Sequence, residues 1–326
     1  MSDAPAHHVL GPDGRLRGFR NVHAPAGLPS REITPGGSFM LDMLRAQRTK
    51  MHAPRMAVDA DVLATPPEKM RLTWLGHTAV YAQFPGLNVL LDPMLGERAS
   101  PFSFIGPKRL MPPAVAPVGF PGVDAVVFSH DHYDHLDAWT TKILIREYDP
   151  LFVVPLGMEV LLKSWGASNV VALDWYETTE VAGVTMTCTP ARHFSGRGLT
   201  NRNRTLWASW YFQTKDIVLY FGGDSAFGTH YAEMAARMPR PDVALLPIGA
   251  YEPRSIMAPV HMDPLEAVEA AKILDPGTVL PTHWGTFVLT TEPVDEPPRA
   301  FLAAARMAGL ADRVKVWKVG ESVLVR

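Results

Sequence analysis

The stretch Ala125-Val126-Val127-Phe128-Ser129-His130-Asp131-His132-Tyr133-Asp134-His135 decides how this chain is read. Its first half is apolar and rich in β-branched residues, which predicts a short buried strand over 124–129. Its second half is H-x-H-x-D-H. Imidazole and carboxylate are good ligands for zinc and similar divalent ions. A strand end holds the backbone still while the side chains just past it converge on a small volume. Three His and two Asp within six residues are too dense for an incidental polar loop. A single ion takes about three or four protein ligands, so a cluster of this size with further candidates elsewhere points to two ions.

The further candidates lie at other strand ends. Strands are expected over 184–188, 216–221 and 278–280, and His193, Asp224 and His283 follow them within a few residues. Alone, each would be an ordinary structural residue. Three of them in the same setting, in a chain that already carries H-x-H-x-D-H, read as ligands delivered to one place.

The remaining pattern starts near residue 71. Strands are expected over 71–74, 79–83, 88–91, 152–154, 170–173 and 243–246, with a hairpin over 205–221. Two closing strands are expected over 314–317 and 322–325. Helices are expected over 137–147, 158–165, 229–237, 264–274 and 298–308. Strand clusters interrupted by helices suit two sheets covered by outer helices, an α/β architecture. Residues 1–69 read as an irregular extension packed on a main domain of 70–326. One helix is plausible there, over 38–51, with Phe39, Met40, Met43 and Leu44 as an apolar face and Arg45 and Arg48 beside it.

Composition narrows the function classes. The 326 residues are 47% hydrophobic and 20% charged, which excludes a disordered chain or a coiled coil. Lys plus Arg number 31 against 33 Asp plus Glu, so the composition lends no support to a nucleic-acid-binding face. The single cysteine, Cys188, excludes an internal disulfide framework or a Cys-rich zinc finger and is expected in the core. No secretory pattern opens the chain, and no run approaches the ~18 apolar residues of a membrane span. The expectation is a soluble, cytoplasmic protein, with peripheral membrane contact still open.

The order of these ligands and the motifs around them resemble the metallo-β-lactamase superfamily, and within it the N-acyl-phosphatidylethanolamine-hydrolysing phospholipase D family. The matching stretches include Trp74-Leu75-Gly76-His77, Leu91-Asp92-Pro93, Gly106-Pro107-Lys108-Arg109 and Ser129-His130-Asp131-His132-Tyr133-Asp134-His135-Leu136-Asp137. They continue with Leu173-Asp174-Trp175, Pro247-Ile248-Gly249-Ala250-Tyr251-Glu252-Pro253-Arg254, His261-Met262-Asp263-Pro264 and His283-Trp284-Gly285-Thr286-Phe287. The resemblance covers residues 70–322. It departs from the animal members at Val260, where they carry Gln, and in the loop 194–199.

The resemblance implies a four-layer αββα sandwich with two zinc ions at one edge of its sheets. It implies one zinc on His130, His132 and His193 and a second on Asp134, His135 and His283, with Asp224 and a hydroxide between them. His261 is expected to orient substrate or transfer a proton, Asp134 to assist the nucleophile, and His77 and Asp92 to fix the ligand loops. The implied reaction is attack on phosphorus that splits N-acyl-phosphatidylethanolamine into N-acylethanolamine and phosphatidic acid. The partner is then a phospholipid and not a nucleic acid, with the oligomeric state open and a homodimer included. The competing readings are hydrolysis of a lactone or another phosphodiester on the same metals, a metal-dependent oxidoreductase, and a metal-binding protein without catalysis. The complete second ligand set argues against the last two.

Overall fold

The computed structural model describes residues 4–23, 49–198 and 200–325. The expected helix over 38–51 falls mostly outside the described residues. The chain opens with an antiparallel hairpin, β1 (His8–Leu10) and β2 (Leu16–Phe19), followed by a short helix α1 (Ala60–Ala64). The sequence pattern had given no strand here. Five of the hairpin's seven strand residues are exposed or only half-buried, so it carries little hydrophobic alternation.

The first large sheet gathers β3 (Met70–Gly76), β4 (Ala79–Phe84), β5 (Leu87–Leu91), β6 (Ala125–Val127), β7 (Leu151–Pro155) and β8 (Val170–Leu173). Helix α2 (Ala138–Tyr148) links β6 to β7, and α3 (Met158–Ser164) links β7 to β8. The second sheet starts with β9 (Thr178–Val181), β10 (Val184–Thr189), β11 (Ser209–Gln213) and β12 (Val218–Phe221). After α4 (His230–Arg237) it adds β13 (Val243–Pro247). After α5 (Arg254–Met257) and α6 (Pro264–Leu274) it adds β14 (Thr278–Thr282). Helix α7 (Glu296–Met307) then leads to β15 (Ser322–Val325), which returns to the first sheet. The orders are β15-β3-β4-β5-β6-β7-β8 and β14-β13-β12-β11-β10-β9.

Period-2 alternation explains the layering. In β6, Ala125 and Val127 enter the core between the sheets, while Val126 joins Phe128 and Phe152 under the outer helices. The same split occurs in β4, with Val80, Ala82 and Phe84 inward and Ala79 and Tyr81 outward. A sheet buried on both faces needs cover on both, which gives helix, sheet, sheet, helix. The expected αββα sandwich is therefore what the chain forms. Its central core holds the fully buried Trp74, Trp207, Trp210 and Trp317. Helix α6 has the expected bounds because its start is overdetermined: Asp263 and Glu266 form a capping box and Pro264 takes the first turn.

The expected strand over 314–317 is a correction. Only Val314 makes a β-bridge, to Val279, and the segment then runs irregularly. Its apolar pattern serves packing instead. Trp317 stacks on Trp74 with centroids 5.6 Å apart and donates its indole N–H to the Pro281 carbonyl at 2.9 Å.

The N-terminal hairpin is pinned by one carboxylate. His7 and His8 each direct Nε2 at Asp174, at 2.6 and 2.7 Å, and the His7 ring lies on Trp175. Burial opposes the charge on Asp174, but the hydrogen bonds from His7 and the Trp175 N–H outweigh it and hold the carboxyl below its usual range. This contact is therefore present above the ordinary carboxylate pKa and is lost as pH falls through the lowered value. Asp174→Asn should loosen the hairpin by about 2 kcal/mol, the scale of lost hydrogen bonds to a charged group. Limited proteolysis within residues 4–23 should accelerate while the main melting transition moves little; unchanged cleavage would mean the hairpin is held elsewhere.

Candidate metal centre

The site begins where β6 ends. Asp92, in the left-handed region at φ 39°, accepts the Ser129 N–H at 2.7 Å and the Ser129 hydroxyl at 2.6 Å. It also accepts His135 Nδ1–H at 2.7 Å. With its hydroxyl proton on Asp92, Ser129 Oγ is left to accept His130 Nδ1–H at 2.9 Å. One buried carboxylate thus orients two rings of the motif so that each presents Nε2 inward. His193 follows the same logic from β10, donating Nδ1–H to the Val260 carbonyl at 2.8 Å.

These outward bonds leave lone pairs converging. His130 Nε2 and His193 Nε2 lie 2.8 and 3.2 Å from His132 Nδ1. A single proton on His132 can satisfy only one of the two, so the set is matched to a cation. Burial keeps all three rings from protonating and pushes His132 down to about 3. They are neutral donors at ordinary pH, the form a metal takes.

A second cluster joins Asp134, His135, His283 and His77, with one ligand atom of each within 4.8 Å of the others. His283 arrives on the end of β14, and both His283 and His77 sit at positive φ, 61° and 55°. Such backbone is uncommon for these residues and needs support. The His283 N–H donates to the His77 carbonyl, and the His77 N–H to Thr286 Oγ1 at 2.7 Å. His77 Nε2–H reaches Asp134 Oδ2 at 3.0 Å. His77 thus touches the second cluster while bracing Asp134, as an orienting residue would.

Asp224, in the turn after β12, stands between the clusters. Its Oδ2 is 3.0 Å from His135 Nε2 and 3.1 Å from His283 Nε2. The same oxygen is 3.8 Å from His193 Nε2 and 4.0 Å from His130 Nε2. Its Oδ1 is buried without a hydrogen-bond partner among the described residues. Burial works against charge on His135 and His283, yet the facing carboxylates raise both, His283 to about 9. The neighbouring imidazoles hold Asp134 and Asp224 well below the usual carboxylate range against that same burial. The pocket therefore concentrates negative potential where positive charge is wanted, and its N and O donors fit divalent zinc-like ions.

All seven expected ligands thus meet in one place, and His261 joins them. It lies just before α6, with a side-chain nitrogen in the same 4.8 Å neighbourhood as His193 and Asp224, and its Nδ1 is buried without a partner among the described residues. Sequence reasoning missed Arg197. Its Nη1 donates to the carbonyls of Asp131 and Leu136, both at 2.7 Å, and its guanidinium lies 4.0 Å from the Tyr133 ring centre. It clamps the H-x-H-x-D-H loop from the segment after His193. The signal was its position in the loop that departs from the resembled animal proteins.

The comparisons with known proteins agree with this geometry. The description "Beta-lactamase superfamily domain" fits residues 87–284. An uncharacterized protein of Mycobacterium tuberculosis is 41% identical over 289 residues, covering 84% of this chain and 77% of that protein. An N-acyl-phosphatidylethanolamine-hydrolyzing phospholipase D of Caenorhabditis elegans is 38% identical over 237 residues, covering 69% of this chain and 67% of its own. Among solved structures, the metallo hydrolase Igni18 of Ignicoccus hospitalis superposes with a TM-score of 0.59 at 25% identity, covering 78% of this chain and 97% of that one. With its two sheets, its convergent His and Asp donors and these relatives, the chain belongs to the metallo-β-lactamase superfamily of metal-dependent hydrolases, in the family of the N-acyl-phosphatidylethanolamine-hydrolysing phospholipases D.

Proposed function

We propose that the protein is a dizinc phosphodiesterase that splits N-acyl-phosphatidylethanolamine into N-acylethanolamine and phosphatidic acid. Residues 70–326 form the catalytic unit, and the described parts of the preceding extension, 4–23 and 49–69, pack on it. The observation that carries the reading is the pair of donor clusters sharing Asp224. His130, His132 and His193 would hold one ion, Asp134, His135 and His283 the other, with Asp224 between them. Such a pair acidifies water towards neutral pH and neutralises the charge that gathers on phosphoryl oxygens.

The chain's own groups do the rest. Asp92, Ser129 and His77 fix the ligand rings and Asp134, so little reorganisation is left for the reacting state. Burial keeps His261 neutral, so it can donate one N–H to steady a phosphoryl oxygen, or accept a proton from the attacking water on its free nitrogen and pass it to the departing N-acylethanolamine oxygen. The water oxygen forms the new P–O bond, the old bond to N-acylethanolamine breaks, and the departing oxygen takes a proton. Hydrolysis in ¹⁸O water should place label on the phosphate of phosphatidic acid. Label in a free fatty acid, or cleavage of lactones in preference to phosphodiesters, would reject the reading.

Metal affinity should depend on pH. His283 holds its proton up to about 9. A cation that takes His283 and His135, which is also raised, must displace their protons, so binding tightens as pH rises towards that value. The gain should be up to about tenfold per pH unit for each proton released. Chelator competition at a series of pH values measures it. A flat profile would mean that His283 surrenders no proton to the ion.

A further inference from the structure

No helix among the described residues is long and apolar enough to cross a membrane, yet a phospholipid has to reach the metal centre. One surface beside that centre has the required chemistry. A cavity of about 1030 Å³ opens next to the H-x-H-x-D-H loop, with Tyr133 and Arg197 in its wall. Leu95, Phe102, Leu110, Met111 and Trp139 supply much of its apolar lining. That volume is at the upper end for ligand pockets. Five basic residues line it against two acidic ones, Glu97 and Asp137; of the five, Arg109 is buried and Lys108 is ion-paired with Glu97 at 2.9 Å.

The lip of this cavity is apolar and faces solvent. Phe102 and Trp139 line the cavity and are 54% and 56% exposed; Phe104 and Ile105 follow Phe102 in the chain at 78% and 59% exposed, with the Phe104 ring 5.6 Å from that of Phe102. The lip is braced. Arg98 donates to the carbonyls of Ser103 and Gly106 at 3.0 and 2.8 Å, and Ala99 N–H bonds the Pro107 carbonyl at 3.0 Å. A folded chain that holds two aromatic rings and an isoleucine rigidly in water gives up hydrophobic stabilisation unless something covers them. Lys108 and Lys142 stand around the same opening.

We infer that the segment 102–105 is a wedge that enters the interface of an anionic phospholipid bilayer, and that the cavity behind it receives an acyl chain of the lipid whose phosphate reaches the metals. Apolar tips enter the acyl boundary while the basic rim meets anionic headgroups. Tyr133 lies between His132 and Asp134 in sequence and also lines the cavity, so a chain held there points its headgroup end at the ligand loop. The 38–51 stretch, the candidate for membrane contact by sequence pattern, lies mostly outside the described residues. The role of the cavity rests on the proposed phospholipid substrate; the wedge is tested apart from it.

The test uses the full chain, with vesicles of phosphatidylcholine alone or mixed with phosphatidylglycerol. The wild type should sediment with the mixed vesicles, and less so at high salt. Phe104→Ser/Ile105→Ser should weaken that partitioning about tenfold or more. Both side chains are largely exposed, so the melting temperature and the rate on a water-soluble phosphodiester should stay unchanged. A second measurement does not depend on loss of binding. Cys188 is buried, so Phe104→Cys can be labelled selectively with a polarity-sensitive fluorophore, whose emission should shift to the blue on mixed vesicles. Equal vesicle binding by wild type and the double variant, or no spectral shift, would overturn the wedge. So would a wedge-dependent dimer that ignores vesicles, which would assign the surface to protein contact. Wedge-dependent vesicle binding without cleavage of N-acyl-phosphatidylethanolamine would leave the wedge standing and reject the substrate reading.

Discussion

Asp224→Asn should lower hydrolysis by about a thousandfold and leave the protein unable to hold its full metal complement. The magnitude is the scale on which loss of one charge-stabilising group reduces turnover. The cause would be shared ligation. One oxygen of Asp224 lies within 4.0 Å of imidazoles from both clusters. An amide of the same shape has no net charge to place between two cations, and its NH₂ side turns donors towards them. Elemental analysis should find the metal content falling from about two ions per chain to less than one. Excess metal should restore little of the rate, because charge rather than occupancy is missing. Full metal content and near-normal turnover in this variant would exclude a shared carboxylate and, with it, the dinuclear reading.

His261→Ala should lower kcat by about a hundredfold to a thousandfold while metal content stays at the wild-type level, the range expected for losing a proton-transfer group. His261 is close to His193 and Asp224, but its Nδ1 has no partner among the described residues, which leaves it available to substrate. A merely structural ring would show its loss as lowered stability. A proton-transfer ring shows it in kcat with KM nearly constant, and added imidazole should recover part of the rate. Parallel loss of metal and turnover would make His261 a ligand instead.

The candidate site was legible to an unusual extent because its expected ligands sit at the ends of apolar strands. Strand periodicity located β6, β10, β12 and β14, and the loops that follow them hold His130, His193, Asp224 and His283. Arg197 was not legible. It acts through backbone carbonyls more than sixty positions upstream, and a carbonyl leaves no trace in sequence. The fold shows the same division. Buried strands declare themselves by composition, whereas β9 is a polar edge strand, Thr178–Val181, with no fully buried residue. The pattern over 314–317 misled in the opposite direction, because Trp317 is buried through ring stacking and not through a ladder. The exposed lip at 102–105 passed unnoticed for a related reason. Sequence gives the apolar residues but not which of them lack cover.

The return of β15 to pair with β3 has a consequence for biosynthesis. Thr73 and Ser322, joined through their hydroxyls across this ladder, are 249 residues apart. At about 5–20 residues per second, β3 leaves the ribosome roughly 12–50 s before its outer neighbour is made. During that interval the first sheet has an unpaired edge carrying Met70, Leu72 and Trp74, all fully buried in the finished fold. An apolar edge with free backbone donors and acceptors is a template for pairing with another nascent chain. Crowded ribosomes on one message would bring such edges together. The yield of soluble protein is therefore set by what shields β3 until the last strand arrives, and slower expression or a chaperone that binds the emerging chain should raise it.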